Sequence, residues 1–265
     1  MVFAPSSFHA YHSGCYLSVF RHLDTPLGSL PVDTRANAHL GAQVLFMGEE
    51  EEEEELQDET QEDGLEVQLP FIRKVFEGRS VRVLPLYVPI KHTKDSLKRM
   101  TKTLAPLVAD PETMIVVSTN LLDWDLDFGS MYVDEAKQIL SESNFGTSLF
   151  HQFNMDPSFE TIAQYRRALQ DACMRAISYG DPDDLVHNVN ATAAHTAFSR
   201  TLRRNGARMR GGGGVQLLLT MMTYMHVVGS ETVCRFIGYK EVRSAPPGSQ
   251  HITSYASAYI MIKDT

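Results

Sequence analysis

Lys94-Asp95-Ser96-Leu97-Lys98-Arg99-Met100-Thr101-Lys102-Thr103-Leu104-Ala105-Pro106-Leu107, followed past Ala109-Asp110-Pro111-Glu112-Thr113 by Met114-Ile115-Val116-Val117-Ser118, decides the class of fold. Leu97, Met100, Leu104 and Leu107 recur at the spacing of one helix face. The run 114–118 is rich in β-branched residues and opens after turn formers, which predicts a strand. Upstream, Val81–Val88 has the same strand character, so strand, helix and strand follow one another. Working outward, further strands are expected at Tyr16–Phe20, Cys234–Tyr239 and Ile252–Ile262. A second amphipathic helix is expected over Thr161–Ile177, through Ile162, Tyr165, Leu169, Cys173 and Ala176. Asp156-Pro157 and Asp181-Pro182 each put an N-cap acid before a first-turn proline, which predicts two more helix starts. Val215–Val228 is apolar on nearly every face, the mark of a helix buried between layers. The class is therefore α/β, with a mixed, mainly parallel sheet flanked by helices.

The 265 residues, 43% of them apolar, suffice for one large core, and a single domain over 1–265 is expected. The formal net charge of -9 is misleading, because residues 49–63 hold eleven acids (Glu49 to Glu55, Asp58, Glu59, Glu62 and Asp63) and no Lys or Arg. Without that stretch the body is close to neutral and offers no basic face for nucleic acid. The stretch itself reads as a disordered acidic insertion. Cys15, Cys173 and Cys234 are odd in number and scattered, the usage of a reduced intracellular protein. The longest apolar run, Val215 to Val228, is short for a bilayer and broken by polar residues, so no membrane partner is expected and the cytoplasm is the expected location. Gly211 to Gly214 lacks the continuation of a phosphate-binding loop and reads as a flexible lead-in to the helix after it. No nucleophile elbow and no His-Glu-x-x-His motif is present.

Four stretches in order resemble the Memo family. They are Asp24-Thr25-Pro26-Leu27-Gly28-Ser29-Leu30-Pro31-Val32-Asp33; Leu65-Glu66-Val67-Gln68-Leu69-Pro70-Phe71; Ala109-Asp110-Pro111 running into Ile115-Val116-Val117-Ser118-Thr119-Asn120; and Gly238-Tyr239 with Ile252-Thr253-Ser254-Tyr255-Ala256. The resemblance implies the fold of the class III extradiol dioxygenases. It also implies that Met1 to Ser6 enters at the family's second core strand, after a family segment with a Pro-His-Ala-Gly motif.

In that family two histidines and a third ligand hold a divalent metal at the strand ends, and a further histidine can act as acid or base. Carried over position by position, the second histidine falls on Ser7, the next on Asp63, and the one after the Ser-Ser-Asp strand on Asp123 beside Trp124. The strand's aspartate falls on Asn120, and the cysteine of Asn-Thr-Ile-Cys-Gly-Arg falls on Arg208, with Asn205 and Arg210 retained. A guanidinium in place of a thiolate repels a cation and instead pairs with carboxylates. The expected remnant cleft is thus Ser7, Asp63, Asn120, Asp123, Trp124, Arg208 and Arg210, with no catalytic residue, metal or cofactor. His9-x-x-His12-x-x-Cys15 is the one spacing that offers relocated metal ligands; its plainer reading is a loop before a strand. The remaining histidines read as surface or satisfied core groups.

The resemblance then implies a catalytically inactive binding or scaffold protein that recognises a protein or peptide, phosphotyrosine peptides included. The alternatives are a metal-dependent, dioxygenase-like oxidoreductase with relocated ligands and a structural subunit of a larger assembly.

Overall fold

Val2, Phe3 and Ala4 are buried in succession, as the residues of a strand covered on both faces are. They belong to β1 (Val2–Ser6), an interior strand of the main sheet. The computed structural model describes residues 1–6, 14–43, 46–48, 63–89, 92–119, 167, 170–180, 188–205, 211–244 and 251–263. Within them β1 is followed by β2 (Cys15–Leu17), β3 (His22–Leu23), β4 (Leu30–Pro31), α1 (Thr34–Gly41) and β5 (Phe46–Gly48). Then come α2 (Asp63–Glu66), α3 (Leu69–Val75), β6 (Pro85–Pro89), α4 (Lys94–Ala109) and β7 (Val116–Val117). After the helical residues 170–177 the chain continues with α5 (Ala191–Asn205), α6 (Gly212–Val227), β8 (Glu231–Ser244) and β9 (His251–Lys263).

The main sheet runs β5-β2-β6-β1-β7. β1 pairs in parallel with β6 and β7, β2 in parallel with β5, and β2 against β6 antiparallel, so the sheet is mixed and mainly parallel as expected. Alternation along the strands divides the core in two. Phe3, Leu17, Leu86 and Val88 face α4, α5 and α6 through Leu97, Met100, Leu104, Phe198, Leu217 and Met221. Val2, Ala4, Tyr16 and Tyr87 face Leu65, Leu69 and Ile72 of α2 and α3 on the other side. Helices therefore cover both faces, the layer arrangement that a parallel sheet requires.

Several boundaries differ from expectation. β2 stops at Leu17, where Ser18 turns its carbonyl to the Asn37 side chain at 2.7 Å. Val83 leaves the predicted 81–88 strand to bridge Val32, because its N–H and carbonyl are taken by Pro31 and Asp33. α4 begins at Lys94 as predicted, held by Thr93 and Ser96, which cap each other's backbone N–H. β8 and β9 are longer than predicted, since residues 231–244 and 251–263 pair with each other through most of their length, interrupted by a bulge between Phe236 and Gly238.

The largest correction concerns the glycine run. Gly212 to Gly214 are buried and form the first turn of α6, with Gly211 as a left-handed N-cap at φ 77°. A Cβ on Gly213 would stand 1.9 Å from the Pro89 carbonyl oxygen, and one on Gly214 would touch Phe3 and Val117. The run is thus a close-packing surface and not a flexible lead-in. Asp63, the last residue of the expected acidic insertion, opens α2; residues 49–62 lie outside the described residues, as do Asp156-Pro157, Asp181-Pro182 and positions 161–166. No described helix is long and apolar enough to cross a membrane.

Candidate functional site at the strand ends

Because β1, β6 and β7 are parallel, their carboxyl ends come out at one edge of the sheet, where open α/β sheets bind their ligands. Ser6 and Pro89 are paired at that edge. Ser118, just past β7, is buried, donates its N–H to the Phe3 carbonyl and accepts from the Gln68 amide at 3.3 Å. Two helix beginnings close on the same place. Gly64, in α2, is so near β1 that a Cβ there would fall 2.4 Å from Pro5. Gly213, in α6, lies against Pro89.

His92 completes the setting. It follows β6, and its Nε2 lies 3.1 Å from where a Gly213 Cβ would stand. Both ring nitrogens are buried without a hydrogen-bond partner. Burial pushes its pKa down to about 4, against a weaker upward pull from the Gly213 backbone, so the imidazole is neutral at physiological pH. The N-terminus of α6 has no side-chain cap. A helix beginning with uncapped N–H groups carries partial positive charge and favours an anion, and a neutral imidazole beside it can donate or accept a proton-sharing bond.

Asp63 is the one expected cleft residue whose backbone is described, and it opens α2 next to Gly64. Ser7, Asn120, Asp123, Trp124, Arg208 and Arg210 lie outside the described residues, as do His9 and His12. Their described neighbours in the chain do reach this edge: Ser6 ends β1, Thr119 follows Ser118, and Gly211 caps α6. Cys15 is different. It is buried in the core, where its thiol lies 3.4 Å from the Met100 sulfur, and so it is not available as the third ligand of the His9 and His12 spacing. Cys173 and Cys234 are buried as well. Burial pushes all three thiols up to about 12, so each is held protonated.

His92 and Gly213 were both missed in the sequence. His92 has no ligand spacing, and its only signal was its position in the connection after a parallel strand. Gly213 sat in a glycine run immediately before an apolar helix, which is also how a close-packed helix beginning looks. His22, His39 and His226 are exposed, as the plain reading of them expects. Among the described residues no three His, Cys, Asp or Glu side chains are grouped to hold a metal ion.

The family model for Memo-like proteins matches residues 1–259. A Caenorhabditis elegans relative, Protein memo-1 homolog, is 22% identical over 253 residues, which is 94% of this chain and 60% of the relative. Protein MEMO1 of Xenopus laevis is 27% identical over 159 residues, 57% of this chain and 50% of the relative. Protein MEMO1 of Homo sapiens gives the same figures, 27% over 159 residues, 57% and 50%. The chain thus spans about half the length of the curated relatives it matches.

Proposed function

The chain belongs to the Memo-like protein family, and from that membership we propose that it is a binding protein without catalysis, recognising a protein or peptide partner at the strand ends. Phosphorylated peptides are the partner class that the site's chemistry favours. The observation that carries the reading is the burial of every cysteine of the chain as a protonated thiol. A thiolate–imidazole metal site of the kind implied by the extradiol dioxygenase relationship has no thiolate to draw on. Arg208 takes the cysteine's position in the family pattern, and a fixed cation there opposes a metal ion. The described donors at the strand ends amount to one imidazole and short polar groups, which do not fit a transition metal needing about three converging lone pairs.

The same features suit an anion. Arg208 and Arg210 precede the uncapped beginning of α6 by three residues and one, and a guanidinium beside backbone N–H groups is a phosphate-binding combination. Asp63, Asn120 and Asp123 then orient the arginines when the cleft is empty, and Ser7 and Trp124 line its rim. Three unpaired thiols suit a reducing compartment, so the cytoplasm is part of this reading.

Titration of a phosphotyrosine peptide and its unphosphorylated counterpart tests it. Preference for the phosphorylated form, lost in a double change of Arg208 and Arg210 to Ala, is expected. Equal binding of both forms would sink the anion-recognition part of the proposal.

A second reading, a metal-dependent oxidoreductase with relocated ligands, is favoured by one observation: His92 is neutral and unpartnered, the form in which imidazole ligates metals. Metal analysis of the dialysed protein separates the two. One tightly held transition metal per chain, lost on changing His92 or the pair His9 and His12 to Ala, establishes the second reading and overturns the first.

A further inference from the structure

The hairpin of β8 and β9 treats its two strands unequally. β8 carries Glu231, Arg235, Lys240, Glu241 and Arg243, has the bulge at Phe236 to Gly238, and is partly covered on its outer edge, where Tyr179 exchanges both backbone hydrogen bonds with Cys234. Charges, bulges and coverage are the devices by which a strand edge avoids pairing with another chain. Between its ends β9 shows none of them among the described residues. Its 13 residues, HITSYASAYIMIK, contain no charged residue, proline or glycine from Ile252 to Ile262, and among the described residues β8 is its only strand partner. Tyr255 is 62% exposed and Met261 50%, with Tyr259 and Ile262 exposed too. The edge is long, regular and uncharged between its ends.

We propose that this edge is where a second copy of the chain docks, adding its own β9 antiparallel across a twofold axis at Ser257 so that two hairpins join into one four-stranded sheet. A strand that meets itself antiparallel must be compatible with its own reverse, and β9 is. The register that uses its whole length sets Tyr255 of one copy opposite Tyr259 of the other, Thr253 opposite Met261, and Ile252 opposite Ile262. Tyr255 with Tyr259 is an aromatic cross-strand pair of the favourable kind. No like charges meet along the interior of the edge; only at its tips does His251 approach Lys263. β8 paired with itself in the same manner would set Arg235 of each copy opposite Lys240 of the other.

Size sets the strength. Thirteen residues of strand span about 44 Å, and a strip about 10 Å deep amounts to roughly 400 Å² per copy. The total falls below the roughly 1,200 Å² of stable interfaces, so the dimer is a weak and concentration-dependent one.

Sedimentation velocity on the full chain, from about 1 µM to about 1 mM, tests this, since weak interfaces associate in that range. The wild type is expected to pass from monomer to dimer. Ser257 is exposed and faces Gly238 on the neighbouring strand, so Ser257→Lys has room in the monomer. It places two ammonium groups together at the axis and is expected to weaken association at least tenfold, at an unchanged melting temperature. Ser257→Glu is expected to do the same, and an equal mixture of the two variants to dimerise again. Recovery in the mixture distinguishes edge pairing from damage to the fold. A wild type that stays monomeric throughout, a Ser257→Lys chain that dimerises as tightly as wild type, or a mixture no better than either variant alone each overturns the proposal.

Discussion

Two helices begin at the same edge of the main sheet, and they begin in opposite ways. α4 is closed by Thr93 and Ser96, each side chain accepting the other's backbone N–H at about 3 Å. α6 begins on glycines, with Gly211 in the left-handed region and no side-chain cap. The difference teaches where a ligand can act. A capping box satisfies a helix beginning from within the chain, whereas small residues let a beginning press against neighbouring backbone and leave its positive end for something else. His92 stands between the two, adjacent to Thr93 in sequence and against Gly213 in space.

The contrast breaks most severely at Gly213. A methyl group there collides with the Pro89 carbonyl, so Gly213→Ala must push α6 off the strand ends. A loss of about 3 kcal/mol or more is expected in urea unfolding, well above the usual cost of a single methylene in a core. At an unstrained helical site the same change stabilises by up to about 1 kcal/mol, so a loss below about 1 kcal/mol would mean that α6 does not press on β6.

His92 gives the next largest effect, and it depends on pH. Its pKa falls from 6.5 to about 4 on folding, so between those values the unfolded chain binds a proton that the folded chain does not. Stability is full above pH 6.5 and declines as the pH falls toward 4, by up to about 3 kcal/mol. In His92→Gln that part of the decline is expected to vanish. Parallel pH profiles of wild type and variant would refute the burial of a neutral imidazole.

Thr93→Ala is expected to cost least, about 1 kcal/mol, as the loss of an N-cap side chain usually does. Replacing Gly211 by Ala, at φ 77°, should cost a similar 1 kcal/mol or so through backbone strain alone. Thermal unfolding of the two variants compares the closed and the open helix beginnings directly. If Thr93→Ala proved as damaging as Gly213→Ala, the two beginnings would be equally built into the core and the contrast between them would fail.

Much of this architecture was legible beforehand. The three- and four-residue spacing of Leu97, Met100 and Leu104 located α4, and all three side chains are in the core. The β-branched runs located β7, β8 and β9, with shortened or lengthened ends. β3, β4 and β5 were not foreseen, since two- and three-residue strands carry too few side chains to show a period. α5 was also missed, although Ala194 and Phe198 sit four apart on its buried face, because alanine and threonine dominate it and its apolar stripe is thin. At the site, Asp63 was marked through family likeness, whereas His92 carried no spacing that distinguished it from any exposed histidine.

By itself the sequence determined the class: where α4, α6 and the longer strands lie, that strands and helices alternate, and to which family the chain is similar. These follow from periodicity and local hydrogen bonding, which act within a few residues of one another. Only the tertiary structure decided that Gly213 meets Pro89, that the Cys15 thiol is spent against Met100, and that β9 pairs along its length with β8. The reason is physical. Each of those facts joins or separates positions far apart in the chain, and close packing, which fixes distances to fractions of an ångström, exists only once the layers have closed.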